Sequence, residues 1–161
     1  MDIFSATISQ NQEEMLRLAA EELYKKGFVK DTYLESLLSR EKLHPTGLPV
    51  EDFINVAIPH TDVEHVLIPT MVVIKHGSST FSFRRMDEPT EWIPVEVVFL
   101  LVVKEPDGYV NFLADLTSLF QEMSFIEMLQ TLSADKIGQA LAEKLNRFGL
   151  VYQGSLLSAQ A

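Results

Sequence analysis

The sequence predicts a single α/β domain, a mixed β-sheet covered by helices on both faces, and three observations lead there. The segment "VEVVFLLVV" at 95–103 carries apolar residues on both of its faces, as a central strand buried on both sides requires. Several longer stretches repeat their apolar residues with the 3.6-residue period of a helix. Finally, 161 residues, 47% of them hydrophobic and 22% charged, suffice for one hydrophobic core, and no linker or internal repeat divides them. The domain is expected to span 1–161, with a core of about 3–146 and a tail at 147–161.

The first helix is expected over 11–27. Asn11 and Glu14 form a capping-box-like start, and Leu16, Ala19, Ala20 and Leu23 follow the i, i+3, i+4, i+7 pattern. Gly27 is a natural stop, with Lys25 and Lys26 suited to the negative end of the helix dipole. A second helix begins after Asp31, with Leu34, Leu37 and Leu38 on one face, and runs out near "REKLHPTG", where Pro45 and Gly47 punctuate a loop. Strands are expected at 54–58, about 70–75 and 95–103, and the alternation in "TFSF" suits an edge strand with a loop beyond it. A third helix places Tyr109, Leu113, Leu116 and Phe120 on one stripe; Ser124 with Glu127 reads as the capping box of a fourth. Ser133 caps a last helix that turns Ile137, Leu141 and Leu145 inward. The tail lacks strong periodicity and is expected to be frayed or packed on the surface.

Composition excludes several functions. A net charge of −10 argues against a nucleic-acid partner, because binding phosphate backbones takes clustered Lys and Arg. With no cysteine, disulfides, thiolate metal sites and cysteine nucleophiles are impossible. The start "MDIFSATISQNQEE" has no basic segment followed by an apolar one, and the longest apolar run is too short to span a bilayer, so a soluble cytoplasmic protein is expected.

The stretch "NVAIPHTDVEH" at 55–65 concentrates two of the four histidines just after a buried-looking strand. His60 stands at the end of that strand, where α/β sheets present their functional loops. A neutral imidazole, with an ordinary pKa of about 6.5, can attack a phosphoryl group without a separate base. Position alone also allows a solvated loop histidine. Metal ligation fits less well. His60 and His65 are five apart, which misses the i, i+4 spacing of an HExxH helix, and "HTDVEH" is one residue too long for the inverted H-x-x-E-H form. Neither a G-x-S-x-G nucleophile elbow nor a glycine-rich phosphate loop occurs, so no metal, nucleotide or other cofactor is expected. His44 and His76 read as turn residues, Arg40 as a cation complementing a helix end, and Tyr109 as part of an apolar stripe. Glu96, inside an apolar strand, either faces the sheet edge or pairs with Arg84 or Arg85.

The combination of "GFVKDTYLESLLSREKLHPTGL", "VAIPH" and "DGYVNFLADLTSLF" resembles the cytosolic enzyme IIA components of bacterial sugar phosphotransferase systems, of the mannitol/fructose type and nearest the galactitol-specific branch. The likeness covers roughly residues 3 to 146, and "SREKLHPTGL" ahead of "AIPH" is far more specific than a lone histidine. It implies that His60 accepts a phosphoryl group from the phosphocarrier protein HPr and passes it to enzyme IIB, which phosphorylates the sugar during transport through the membrane enzyme IIC. It also implies that Arg40, from the "REK" motif, stabilises the phosphoryl charge; a forked guanidinium can engage two oxygens at once. One departure stands out. Mannitol- and fructose-type members carry a second active-site histidine where this chain has Tyr109, so Tyr109, His65 and Thr61 are candidates for a supporting role. The rival readings are a phosphorylation-sensing regulatory module and a metal-dependent hydrolase built on His60, His65 and Asp62. No helix-turn-helix or other output domain lies within the 161 residues, which favours the transport relay over the regulator.

Overall fold

The computed structural model describes residues 1–157, and of residues 106–108 the backbone only. Strand β1 (Asp2–Thr7) is followed by helices α1 (Gln12–Lys25) and α2 (Tyr33–Leu43) and by strands β2 (Gly47–Val50), β3 (Ile54–Ala57) and β4 (Thr70–Lys75). A two-stranded ribbon of β5 (Phe81–Arg84) and β6 (Trp92–Val95) precedes β7 (Val97–Val102). Helices α3 (Pro106–Leu119), α4 (Met123–Thr131) and α5 (Ala134–Lys144) then lead to β8 (Val151–Ser155). The six-stranded sheet has the order β2-β3-β7-β4-β1-β8 and is mixed, as expected: β3 runs parallel to β7, and β7 antiparallel to β4.

Alternation along the strands builds two cores. Val98, Leu100 and Val102 of β7 pack with α1, α2 and the β5–β6 ribbon. Val97, Phe99 and Leu101 pack with α3, α4 and α5. Every residue of β7 is buried, which is why it reads as an unbroken apolar run rather than an alternating one. Phe99, Phe120 and Phe125 stack successively at 5.9 and 6.0 Å between ring centres, holding the α3–α4 corner on the sheet.

The helix boundaries at α1 follow local chemistry. The Asn11 side chain accepts the Glu14 N–H at 2.9 Å. At the other end Gly27 adopts φ +82°, so Phe28 N–H reaches Leu23 O and Gly27 N–H reaches Tyr24 O, each at 3.0 Å. Ser133 caps α5 by accepting Lys136 N–H. "TFSF" marks β5, with Phe81 and Phe83 buried and Ser82 outward.

Other expectations are corrected. Segment 2–7 is an interior strand of the sheet, between β4 and β8, and 47–50 is a strand rather than loop. The 95–103 segment is two strands parted at Glu96, whose carboxylate accepts the Asn55 N–H at 2.9 Å instead of meeting Arg84 or Arg85. Arg84 donates to Lys42 O, and Arg85 pairs with Asp87 and Glu91. Ser124 does not cap α4; it lies inside the helix, and Glu122 occupies the cap position without a side-chain bond. Of the two alternatives for the tail, frayed or packed on the surface, its described part takes the second. β8 adds to β1 in parallel, and Leu156 is buried with its N–H on Ser5 O at 2.7 Å. Tyr152 hydroxyl bridges Ser5 and Asp135, its ring lying where any Cβ on Gly138 would come within 2.7 Å. Residues 158–161 of the expected tail lie outside the described residues.

Candidate functional site

Topology places the site. Because β3 and β7 are parallel neighbours, the chain leaves both at the same edge of the sheet: β3 into Ile58, Pro59 and His60, β7 into the start of α3 and Tyr109. Leu101 N–H bonds Pro59 O at 3.1 Å and carries the pairing one step past β3. The His60 and Tyr109 rings therefore face each other, 5.3 Å between centres and tilted by 38°.

His60 is half-buried, and its Nδ1 lies 3.0 Å from Ile58 O. A carbonyl oxygen only accepts, so Nδ1 carries the proton and the lone pair of the neutral ring is on Nε2. Nε2 makes no hydrogen bond among the described residues. Burial pushes the His60 pKa below its ordinary value, opposed by the Ile58 carbonyl; the Arg40 charge lowers it further and Asp62 raises it. The neutral form, nucleophilic at Nε2, thus dominates at neutral pH.

Helix α2 lies alongside the loop and is fastened to it at every turn. Thr32, just ahead of α2, bonds His65 Nδ1 at 2.8 Å; Ser36 hydroxyl bonds Thr61 hydroxyl; Arg40 meets Asp62 at 3.4 Å. The helix residues are spaced by four, so they share one face, and that face meets the loop at His65, Thr61 and Asp62. Thr61 is buried, and its hydroxyl is satisfied by Ser36. Arg40 has a second property: its Nε is buried without a hydrogen-bond partner among the described residues. The Arg40 charge also acts on Tyr109, whose hydroxyl pKa burial raises and Arg40 lowers. That hydroxyl stays protonated and able to donate at neutral pH.

The structure thus brings His60, Arg40, Tyr109 and Thr61 together. His65 it turns elsewhere, with one ring nitrogen on Thr32 and the other 3.6 Å from Glu64. His76 accepts the Ser78 and Ser79 N–H groups in a turn, and His44 ends α2, both as expected of turn residues. Among the described residues no group of three or more His, Cys, Asp or Glu side chains is placed to hold a metal ion. Sequence reasoning missed Thr32 and Ser36, and it missed Asp62 as the partner of Arg40. The signal was present: polar residues at 32, 36 and 40 alternate with Leu34, Leu37 and Leu38 on the second helix.

A 580 Å³ cleft lined by Glu41, Lys42, Arg84 and Trp92 and a 270 Å³ cavity beside Tyr109 both lie off the histidine, neither of them lined by His60 or Arg40. Leu43, three residues after Arg40, and Val110, next to Tyr109, are exposed apolar residues.

Comparison with known proteins agrees with this geometry. The galactitol-specific EIIA component of Escherichia coli K12 is 28% identical over 122 residues, 76% of this chain and 79% of that protein. The mannitol-specific EIICBA component of the same strain is 30% identical over 145 residues, 88% of this chain but only 21% of that longer protein. Among solved structures, the complex of the mannitol enzyme IIA with phosphorylated enzyme IIB from Escherichia coli matches with a TM-score of 0.65 and 28% identity, covering 88% of this chain and 94% of that one. The family described as "Phosphoenolpyruvate-dependent sugar phosphotransferase system, EIIA 2" matches residues 2–144, and the chain belongs to it.

Proposed function

We propose that this chain is the phosphoryl relay of a sugar or sugar-alcohol phosphotransferase system, with His60 as the phosphoryl carrier. The observation that supports it best is the convergence at one site of an imidazole whose Nε2 makes no hydrogen bond among the described residues, the Arg40 guanidinium, whose charge reaches both rings, and the Tyr109 ring. The His60 Nε2 lone pair attacks the phosphorus of phospho-HPr in line, a P–N bond forms, and the bond to the carrier's histidine breaks. The proton stays on Nδ1, which donates it to the Ile58 carbonyl, and the dipole of that carbonyl stabilises the positive charge that develops on the ring. Arg40 exchanges its single 3.4 Å contact with Asp62 for the phosphoryl oxygens, and Tyr109 donates a neutral hydrogen bond to one of them. In the second half-reaction a cysteine thiolate of enzyme IIB attacks the same phosphorus and the P–Nε2 bond breaks, returning the ring to its starting tautomer. Positioning and electrostatics do the work, with no metal or nucleotide involved.

Thr61 and His65 then serve as anchors that hold the His60 loop against α2, and the role of a second active-site histidine falls to Tyr109. Exposed Leu43 and Val110 give both protein partners an apolar rim to dock on in turn. Identity with the galactitol-specific component supports galactitol or a similar polyol as the transported substrate, and a cytoplasmic location accords with a chain in which, among the described residues, no helix is long and apolar enough to cross a membrane.

The test is single-turnover phosphorylation by pre-formed phospho-HPr across pH, followed by transfer to candidate enzyme IIB proteins. The nucleophile is the neutral ring, and burial lowers its pKa from the ordinary value, so acceptance is expected to be greatest near ~pH 8 and to fall with an acid midpoint below that of a free imidazole. The phosphate should then move to an enzyme IIB cysteine. An acid limb at or above pH 7, or phosphate that no enzyme IIB accepts, would count against the proposal.

A further inference from the structure

Glu41, the neighbour of Arg40 in "REK", is buried in the last turn of α2. The position is costly twice over: burial raises the carboxyl pKa to about 7, and an anion at a helix C-terminus opposes the helix dipole. Its oxygens are both engaged on one residue. Glu41 Oε2 accepts the Thr46 N–H at 2.9 Å and Oε1 accepts the Thr46 hydroxyl at 2.8 Å, with the Arg84 charge adding some stabilisation. Thr46, itself buried, immediately precedes β2, and Gly47 of β2 pairs with Ala57 of β3, three residues before His60.

We infer that Glu41 is a positioning residue that holds Arg40 in register with His60 by clamping the end of α2 to the β2–β3 pair. Arg40 is then fixed from two sides. The Ser36–Thr61 hydroxyl pair ties the preceding turn of α2 to the loop after His60, and the Glu41–Thr46 clamp ties the turn carrying Arg40 to the strands before it. A guanidinium on a long side chain engages a phosphoryl group productively only if its base is held, and an ångström of drift at the helix end costs a large factor in rate. An apolar side chain at 41 would fill the space at less cost to stability but could not fix Thr46.

The inference rests on the proposed roles of His60 and Arg40, and the experiment separates the two. Acceptance of phosphate from phospho-HPr is measured for wild type, Glu41→Ala, Glu41→Gln and Thr46→Val, each with kcat and KM for phospho-HPr and a thermal melt. Glutamine can keep both bonds, its carbonyl accepting from the Thr46 N–H and its amide donating to the hydroxyl. Glu41→Ala is expected to lower kcat roughly thirtyfold with KM within about twofold, because the docking surface is untouched. Glu41→Gln should restore kcat to within about threefold of wild type, and Thr46→Val should fall between. If Glu41→Ala does not fold, the glutamine and valine variants decide. Wild-type kcat in Thr46→Val, or a glutamine variant as slow as the alanine one, overturns the inference while leaving the relay intact. A wild-type protein that takes no phosphate from phospho-HPr overturns both.

Discussion

Replacing His60 with alanine is expected to abolish phosphate uptake from phospho-HPr, a loss of at least about a thousandfold, while the domain stays folded. The reason is that nothing near the site can substitute. His65 is turned to Thr32, which bonds its Nδ1, and Tyr109, its hydroxyl held protonated, is a poor nucleophile at neutral pH. The structural cost is small. His60 is only half-buried, and its one hydrogen bond, to the Ile58 carbonyl, is worth on the order of 1 kcal/mol. The Ser36–Thr61 pair and the Arg40–Asp62 contact that hold the loop do not involve its side chain. The measurement is acid-labile phosphate after incubation with phospho-HPr, beside a thermal melt. A folded alanine variant that still acquires such phosphate would place the chemistry on another residue.

Arg40→Ala is expected to slow the same transfer by roughly a hundredfold to a thousandfold, the scale of losing a charged donor aimed at a phosphoryl group. Stability should barely change. The Arg40–Asp62 contact is a single exposed one at 3.4 Å, worth less than about 1 kcal/mol, and the mutation removes a buried Nε that has no partner among the described residues. Arg40→Lys should recover only part of the rate, because an ammonium brings charge without the fork. The mutation also has a signature independent of catalysis. The Arg40 charge disfavours imidazolium at His60, so its removal should raise the His60 pKa, visible as a shift of the ring's proton titration to higher pH. An unchanged transfer rate together with an unchanged titration would remove Arg40 from the site.

How far the sequence carries depends on what each segment buries. β7 and the amphipathic helices α1 and α5 were legible because they bury whole faces or regular stripes, and burial is what periodicity reports. β1 was missed although it lies between β4 and β8, because its six residues include the polar Ser5 and Thr7 and too few positions for a pattern. β8 was missed for a different reason: as an edge strand it alternates between exposed and half-buried residues, and its partner lies some 150 residues away in the chain. The break at Glu96 was invisible because the carboxylate is satisfied by Asn55 across the sheet, a contact that no local rule encodes. At the site, His60 and Arg40 were named from motifs, but their meeting required the parallel β3–β7 pair and the fastening of α2 to the loop. The paired histidines drew attention to the right segment for a partly wrong reason, since His65 faces Thr32 rather than completing a cluster.

The central claim is that phosphate rides on one atom, Nε2 of His60, because Nδ1 is committed to the Ile58 carbonyl. The most direct measurement is nitrogen-resolved NMR of the phosphorylated protein with 15N-labelled histidine, which identifies both the residue and the ring nitrogen that bears phosphorus. Phosphorus coupled to Nε2 of His60, with Nδ1 still protonated, is the expected result; phosphorus on Nδ1, or on any residue other than His60, would contradict it.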